Sequence, residues 1–352
     1  MSSLQKFRKP FKPIILLVLC MRTKASISAR GAVLLGKHVA CDAFDEAKPL
    51  RVVTHAHYDH MLGLQQSLEK SEAVVMTPAT KDLIEVLKGS SLFTEGKTKI
   101  LEYKETLPYE EDQITLHYAD HILGAAQVLL EDADGTRILY TGDFRLPNTP
   151  IIEADILVTE ATYGNPAHLR PFEEAIENVL VSLVEQGLRK GPVYVFGYHG
   201  KLQEVMQMLN DARVEVPFIV PEKVFQVSRV CKKHGMRLGG CLLSSDEDAQ
   251  VMLQKSVPCI AFYHMASRRY VGKNAFRICV SGWEFESPCR RRTENEYVIA
   301  LSDHSDFNGL LQYVEESRPK LVITDNYRIG DAAALAKEIE KRLNIPAKPL
   351  PS

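Results

Sequence analysis

Residues 51–63 read RVVTHAHYDHMLG, and within them His55, His57, Asp59 and His60 crowd metal-ligating side chains into a single short stretch. Val52 and Val53 lead in with the β-branched character of a strand, while Met61, Leu62 and Leu64 lead out with helical spacing. Alternate residues of an extended chain point the same way, so His55 and His57 share a face, and Asp59 and His60 open the next turn toward a neighbouring point. One histidine in such a place would be an ordinary core residue; the whole array is better explained as ligands. Such an array needs partners, and α/β sheets bring polar groups together on the rim where strands end. This requirement constrains the fold more than anything else in the chain.

Four residues elsewhere have the same setting. His121 follows a strand in HYADHILGAAQ, Asp143 ends one in ILYTGDFR, Glu160 ends one in DILVTEATYG, and His304 ends one in VIALSDHSDF. Each alone reads equally as a turn or cap residue. Short strands are expected at 52–54, 73–76, 114–118, 127–131, 137–141 and 156–159, alternating with amphipathic helices. SISARGAVLLGKHVACD (26–42) reads as two strands joined by a turn at Gly36–Lys37. The fold class that follows is α/β with mixed sheets, and residues of about 170–290 form a second α/β unit.

With these motifs in place, the sequence resembles the metallo-β-lactamase superfamily, and within it the β-CASP nucleases, over about 26–343. H-x-H-x-D-H specifies only the superfamily. TEATYG, YVFGYHGKLQEVMQML (with lysine where the family has arginine), ICVSGWEFES and LSDHSDF are similar to β-CASP segments. The resemblance implies an αβ/βα sandwich at 26–170 and 293–352, with an inserted β-CASP domain at 171–292. It also implies two zinc ions, the first on His55, His57, His121 and Asp143 and the second on Asp59, His60 and the shared Asp143. Asp42 would support the ligand histidines, Glu160 and His304 would hold and deliver a proton, and Asp59 would belong to the catalytic set. Lys201 would contact a phosphate. Where relatives carry a histidine or valine after the last strand, PKLVITDNYRIG has Asp325, or Asn326 if the alignment slips by one. An aspartate ligand there would complete the second site and shift it toward manganese or magnesium. The alternative is an Asx turn closing the strand.

The net charge of −2 gives no global signal for a polyanion partner, so a basic surface must be local. Arg268, Arg269, Lys273, Arg277, Arg290, Arg291 and Arg292 supply a candidate, interleaved with Tyr270, Phe276 and Phe285; Trp283 is expected in the core. The rival reading is a solvated charged face. Seven scattered cysteines suit a reducing, cytoplasmic setting better than a disulfide framework. Residues 1–25 read as an extension. Its IILLVLCM run is too short to span a bilayer and has no small-residue cleavage site after it. The expected function is metal-dependent hydrolysis of nucleic acid, single-stranded RNA before DNA, without a membrane partner and with room for a homodimer. The competing readings are an Artemis-type DNA exonuclease, a hydrolase of a small ester, thioester or lactam, and a scaffold without activity.

Overall fold

The computed structural model describes residues 24–93 and 96–352. Most of the expected N-terminal extension, including IILLVLCM, therefore lies outside the described residues, although Ala25 already belongs to a strand. The first sheet has the order β1 (Ala25–Ile27), β2 (Val33–Leu35), β3 (Val39–Cys41), β4 (Leu50–Val52), β5 (Ala73–Met76) and β6 (Thr98–Ile100), with parallel pairing from β3 onward. Where two strands were expected in 26–42 there are three. Ser28 turns the chain early, its Oγ accepting from the Ala32 amide at 3.1 Å.

The second sheet is built from β7 (Thr106–Tyr109), β8 (Asp112–Tyr118), β9 (Ala126–Glu131), β10 (Arg137–Tyr140) and β11 (Ile156–Thr159), continued by β19 (Leu321–Asp325) and β20 (Ala347–Leu350). β10, β11, β19 and β20 are parallel, so their C-terminal ends share one rim. The two sheets face each other. Leu35, Val52 and Val75 from one pack with Leu116, Val128, Tyr140 and Val158 from the other in a single apolar cluster. Helices Leu64–Lys70 and Pro78–Lys88 lie outside the first sheet, and Phe307–Ser317 and Ala332–Leu343 lie outside the second. These are the layers of an αβ/βα sandwich.

Between β11 and β19 the chain makes a third sheet, in the order β14 (Cys241–Leu243), β13 (Phe218–Val220), β15 (Ile260–His264), β12 (Val193–Gly197), β16 (Phe276–Val280), β18 (Glu296–Ile299) and β17 (Cys289–Thr293). Thr293 and Glu296–Ile299, expected in the first unit, thus belong to this sheet. The reason is local: the hairpin pairs Thr293 with Glu296 and Arg291 with Tyr297, drawing the return strand alongside β16. Arg170, buried where the chain crosses into the third-sheet unit, donates to the carbonyls of Gly282, Glu284 and Ala300. Exit and return are held at one point. Among the described residues, no helix is long and apolar enough to cross a membrane.

Candidate metal centre

β4 delivers the histidine array to the rim, and two buried side chains hold it there. Arg51 is 1% exposed in the middle of an apolar strand and donates to the carbonyls of Val52, His60 and Leu62 at 3.0–3.2 Å. It ties both ends of the histidine loop together. Asp42, following β3, accepts from the Thr54 amide at 2.8 Å and from Thr54 Oγ1 and His60 Nδ1 at 2.7 Å each. Its backbone is left-handed (φ 62°), a conformation aspartate tolerates better than most residues. The loop bearing His121 is pinned by Gly124, whose carbonyl accepts from Thr77 Oγ1 and Thr80 Oγ1. A Cβ at Gly124 would lie 2.6 Å from the Thr80 amide, so this approach requires glycine.

Four ligand atoms converge at the rim. His57 Nδ1 is 3.1 Å from His55 Nε2 and 3.0 Å from His121 Nε2, while Asp143 Oδ2 is 3.7 Å and 3.6 Å from those same two Nε2 atoms. A tetrahedral ion with ligand bonds of about 2.0–2.1 Å needs ligand–ligand edges of roughly 3.3 Å. The observed edges bracket that value. The same Asp143 Oδ2 is 3.2 Å from His60 Nε2, which in turn is 3.5 Å from Asp59 Oδ2. One oxygen therefore bridges two adjacent points. His60 Nε2 is buried and has no hydrogen-bond partner, as expected of an atom reserved for a ligand bond.

The opposite ring nitrogens are assigned by their neighbours. His55 Nδ1 faces Thr54 Oγ1 at 3.1 Å, His57 Nε2 the His199 carbonyl at 3.4 Å, His121 Nδ1 the Asp303 carbonyl at 2.8 Å, and His60 Nδ1 Asp42. At His55, His57 and His121 each contact leaves the inward nitrogen with a free lone pair in the neutral ring, and at His60 it does so once the inward proton is lost. Burial pushes His121 down to about 3 and holds His55 well below the ordinary range, so both are neutral donors at pH 7. At His60 burial also opposes charge, but Asp143 and Asp42 outweigh it and raise the pKa to about 10. A metal at the second point must therefore displace a proton, and its binding should tighten as pH rises. Asp42→Asn should keep the fold yet weaken metal at the second point by about 10- to 100-fold, as measured by competition with a chelator.

Beside the first point, His304 Nδ1 lies 2.9 Å from Glu160 Oε2, and Glu160 Oε1 also accepts from the Phe144 amide at 2.8 Å. Burial works against the His304 charge, but Glu160 prevails and lifts its pKa to about 9. The pair thus favours the charged form of His304 at neutral pH, and its ring centroid lies 4.8 Å from that of His121.

Several expected contacts are arranged differently. Asp325, expected as a ligand of the second point, is instead a turn residue. Its carboxylate accepts from the Tyr327 amide at 2.8 Å and pairs with Arg328 Nη1 at 2.6 Å, which is the Asx-turn alternative. Asn326 side chain donates to the Pro351 carbonyl. Lys201, expected on a phosphate, pairs with the buried Asp303 at 2.5 Å. The basic stretch is largely internally paired: Arg268 and Arg277 bind Glu296, Arg290 binds Glu284, and Arg292 lies 4.0 Å from Glu296. Arg291 donates to the carbonyls of Thr293 and Glu294, and the Arg269 guanidinium stacks over Tyr270. Sheet register explains most of this, because Arg277 on β16 sits directly beside Glu296 on β18. Trp283 is 51% exposed, not core.

A cleft of about 930 Å³ opens over His57 and His121, with Tyr58, Tyr118, Tyr198 and Gln203 in its lining and none of the predicted arginines. Arg145, also in this wall, binds Asp120, Glu204 and the Ser302 carbonyl, bridging the sandwich to the third-sheet unit. Sequence reading missed Arg51, Arg145, Asp303 and Arg328. The only local signal was a charged residue inside an apolar strand at Arg51.

A His/Asp cluster able to hold metal, set on the shared rim of two facing sheets, defines a metal-site α/β sandwich protein. Residues 52–214 match the model of the metallo-β-lactamase superfamily. A 138-residue match at 38% identity, covering 39% of this chain and 99% of the other, is to an uncharacterized protein in lig 3′region of Acidianus ambivalens. A probable DNA ligase of Opitutus terrae is 26% identical over 307 residues, 82% of this chain and 28% of the ligase. An RNase J-like protein of Methanocaldococcus jannaschii is 32% identical over 193 residues, 47% of this chain and 44% of that protein. The chain thus spans less than half the length of these last two relatives. A crystal structure of a protein of unknown function from Enterococcus faecalis V583 shares the fold at TM-score 0.61 and 13% identity, covering 99% of this chain and 90% of that one. The chain belongs to the metallo-β-lactamase superfamily, in its β-CASP branch.

Proposed function

We propose that this protein is a metal-dependent phosphodiesterase acting on single-stranded nucleic acid, with zinc at the His55, His57, His121 and Asp143 point and a second ion at Asp59, His60 and Asp143. The single observation that carries the reading is Asp143 Oδ2, which lies within 3.2–3.7 Å of His55, His60 and His121 and so joins two ligand sets. Metal ions held there would activate a water and neutralise phosphate charge in in-line displacement. The chain's own groups supply the rest. His304, charged and held by Glu160, is placed to protonate the leaving oxygen. Lys201 fixes Asp303, whose carbonyl orients His121.

Bases would lie along the cleft wall, where Tyr58 and Tyr198 are exposed beside the metal point. Tyr198→Ala should weaken single-strand binding by about 1–3 kcal/mol, read as a shift in Kd with metal content unchanged. RNA is the first reading for the polymer, supported by the RNase J-like relative and by the LSDHSDF motif. DNA is the second, favoured by the probable DNA ligase that matches most of this chain; Asp325, neither the histidine nor the valine of the two branches, favours neither. Free thiols at the described cysteines fit a reducing, cytoplasmic setting. The test is to digest end-labelled RNA and DNA of one sequence in parallel, with and without chelator. Metal-dependent cleavage of RNA alone selects the first reading, of DNA alone the second. Cleavage of neither contradicts the nuclease assignment.

A further inference from the structure

Trp283 is the single tryptophan of the chain, and it is half exposed although its backbone is held firmly. β16 ends at Val280, and the segment beyond it is clamped on both sides of the indole. Tyr163 Oη donates to the Gly282 carbonyl at 2.6 Å, and Arg170 Nη1 donates to the carbonyls of Gly282 and Glu284 at 3.0 and 2.9 Å. The Trp283 amide donates to Ser281 Oγ at 3.2 Å. The ring stands perpendicular to those of Tyr163, His168 and Phe285, at 83–89° and with centroids 5.3–6.2 Å away. Among the described residues no ring lies parallel on it and no acceptor meets its Nε1. A scattered exposed aromatic needs no explanation. One held in place by a buried frame, with no ring stacked on it, is a platform.

That frame is shared with the proton donor. The Tyr163 ring centroid lies 5.9 Å from that of His304, and Ser302 Oγ lies 3.0 Å from Tyr163 Oη and accepts from the His304 amide at 3.0 Å. One ring nitrogen of His304 and carboxylate oxygens of Asp143 and Glu160 are all within 4.8 Å of one another, so His304 adjoins the metal points. The indole therefore stands two ring contacts from the group that meets the leaving oxygen. It is no part of the cleft wall that carries Tyr58 and Tyr198.

We propose that Trp283 is a base-stacking subsite for the nucleoside that departs with the leaving oxygen. The inference rests on the nuclease reading above. A strand with its scissile phosphate at the metal points and its leaving oxygen at His304 runs past His304 toward the indole, where the next base meets a flat apolar face. Stacking accepts every base, because each has a π face, so the subsite grips a strand without reading its sequence. A base inside a duplex must first be unstacked, so the subsite also selects unpaired nucleotides. Aromatic surface here supplies the grip that the internally paired arginines do not.

Because the chain has one tryptophan, its emission reports on this ring alone. Titrating the metal-loaded protein with phosphorothioate-linked, cleavage-resistant oligothymidylate should quench that emission saturably, and a wholly abasic oligomer of equal length should not. In cleavage assays Trp283→Ala should lower kcat/KM by about 10-fold or more, and Trp283→Phe by about twofold or less, the scale of one lost base stack. A single abasic nucleotide beside the cleavage point on the leaving side should cost the wild type the same factor and cost Trp283→Ala nothing further. On the other side of the cleavage point it should cost both proteins alike. Emission that stays unchanged while the anisotropy of a labelled oligomer shows it bound overturns the proposal without any variant. Penalties that multiply on the leaving side, or that merge on the other side, overturn it as well. An oligonucleotide neither bound nor cleaved by the wild type contradicts the nuclease reading instead.

Discussion

Replacing His57 with alanine should empty the first metal point and reduce turnover to background. Its Nδ1 is the hub of that point, 3.0–3.1 Å from both His121 Nε2 and His55 Nε2, and nothing nearby replaces it. The two remaining imidazoles are buried and neutral, and with Asp143 they make an incomplete tetrahedron that water would have to finish. Elemental analysis and turnover should fall together in this variant. His38→Ala, at a histidine paired with Asp112 away from the rim, should alter neither. Full metal retention in His57→Ala would remove His57 from the ligand set.

His304→Ala should show the opposite separation, keeping metal while turnover falls by roughly 10²- to 10⁴-fold, the usual contribution of a positioned general acid. The physical basis is the Glu160 pair. Burial alone would strip the His304 proton, but the carboxylate 2.9 Å away holds it up to about 9. A group with a raised pKa is charged below that value and loses its proton above it, so wild-type turnover should decline on an alkaline limb centred near pH 9. Glu160→Gln removes the anion, and the limb should then move to lower pH as His304 returns toward its ordinary value near 6.5. A pH profile identical in wild type and Glu160→Gln, or loss of metal in His304→Ala, would show that His304 has another role.

What could be read from the sequence was what local geometry determines. His55, His57, Asp59 and His60 sit at a strand exit, so their proximity needs only the backbone periods of strand and turn. His121, Asp143, Glu160 and His304 were legible as strand-end polar residues, and parallel neighbours on the rim bring Asp143 and Glu160 together. What failed depended on partners distant in sequence. Seven basic residues within 268–292 looked like a free surface, but Glu296, drawn alongside by β18, takes up Arg268 and Arg277. Asp325 is the exception, decided locally: it was the right type for a ligand, yet its carboxylate accepts from the Tyr327 amide and pairs with Arg328 three residues on. Arg51 and Arg145 act through backbone carbonyls and through acids far along the chain, contacts with no periodic signature.

The most direct test of the central claim is the initial rate of cleavage of an end-labelled single-stranded oligonucleotide. It should be measured on the metal-loaded protein, after chelation, and after zinc or manganese is returned, with a thioester substrate alongside. The account requires cleavage that disappears with the chelator and returns with the metal, and no turnover of the thioester. Thioester hydrolysis by a fully loaded protein that leaves RNA and DNA oligonucleotides intact would contradict it.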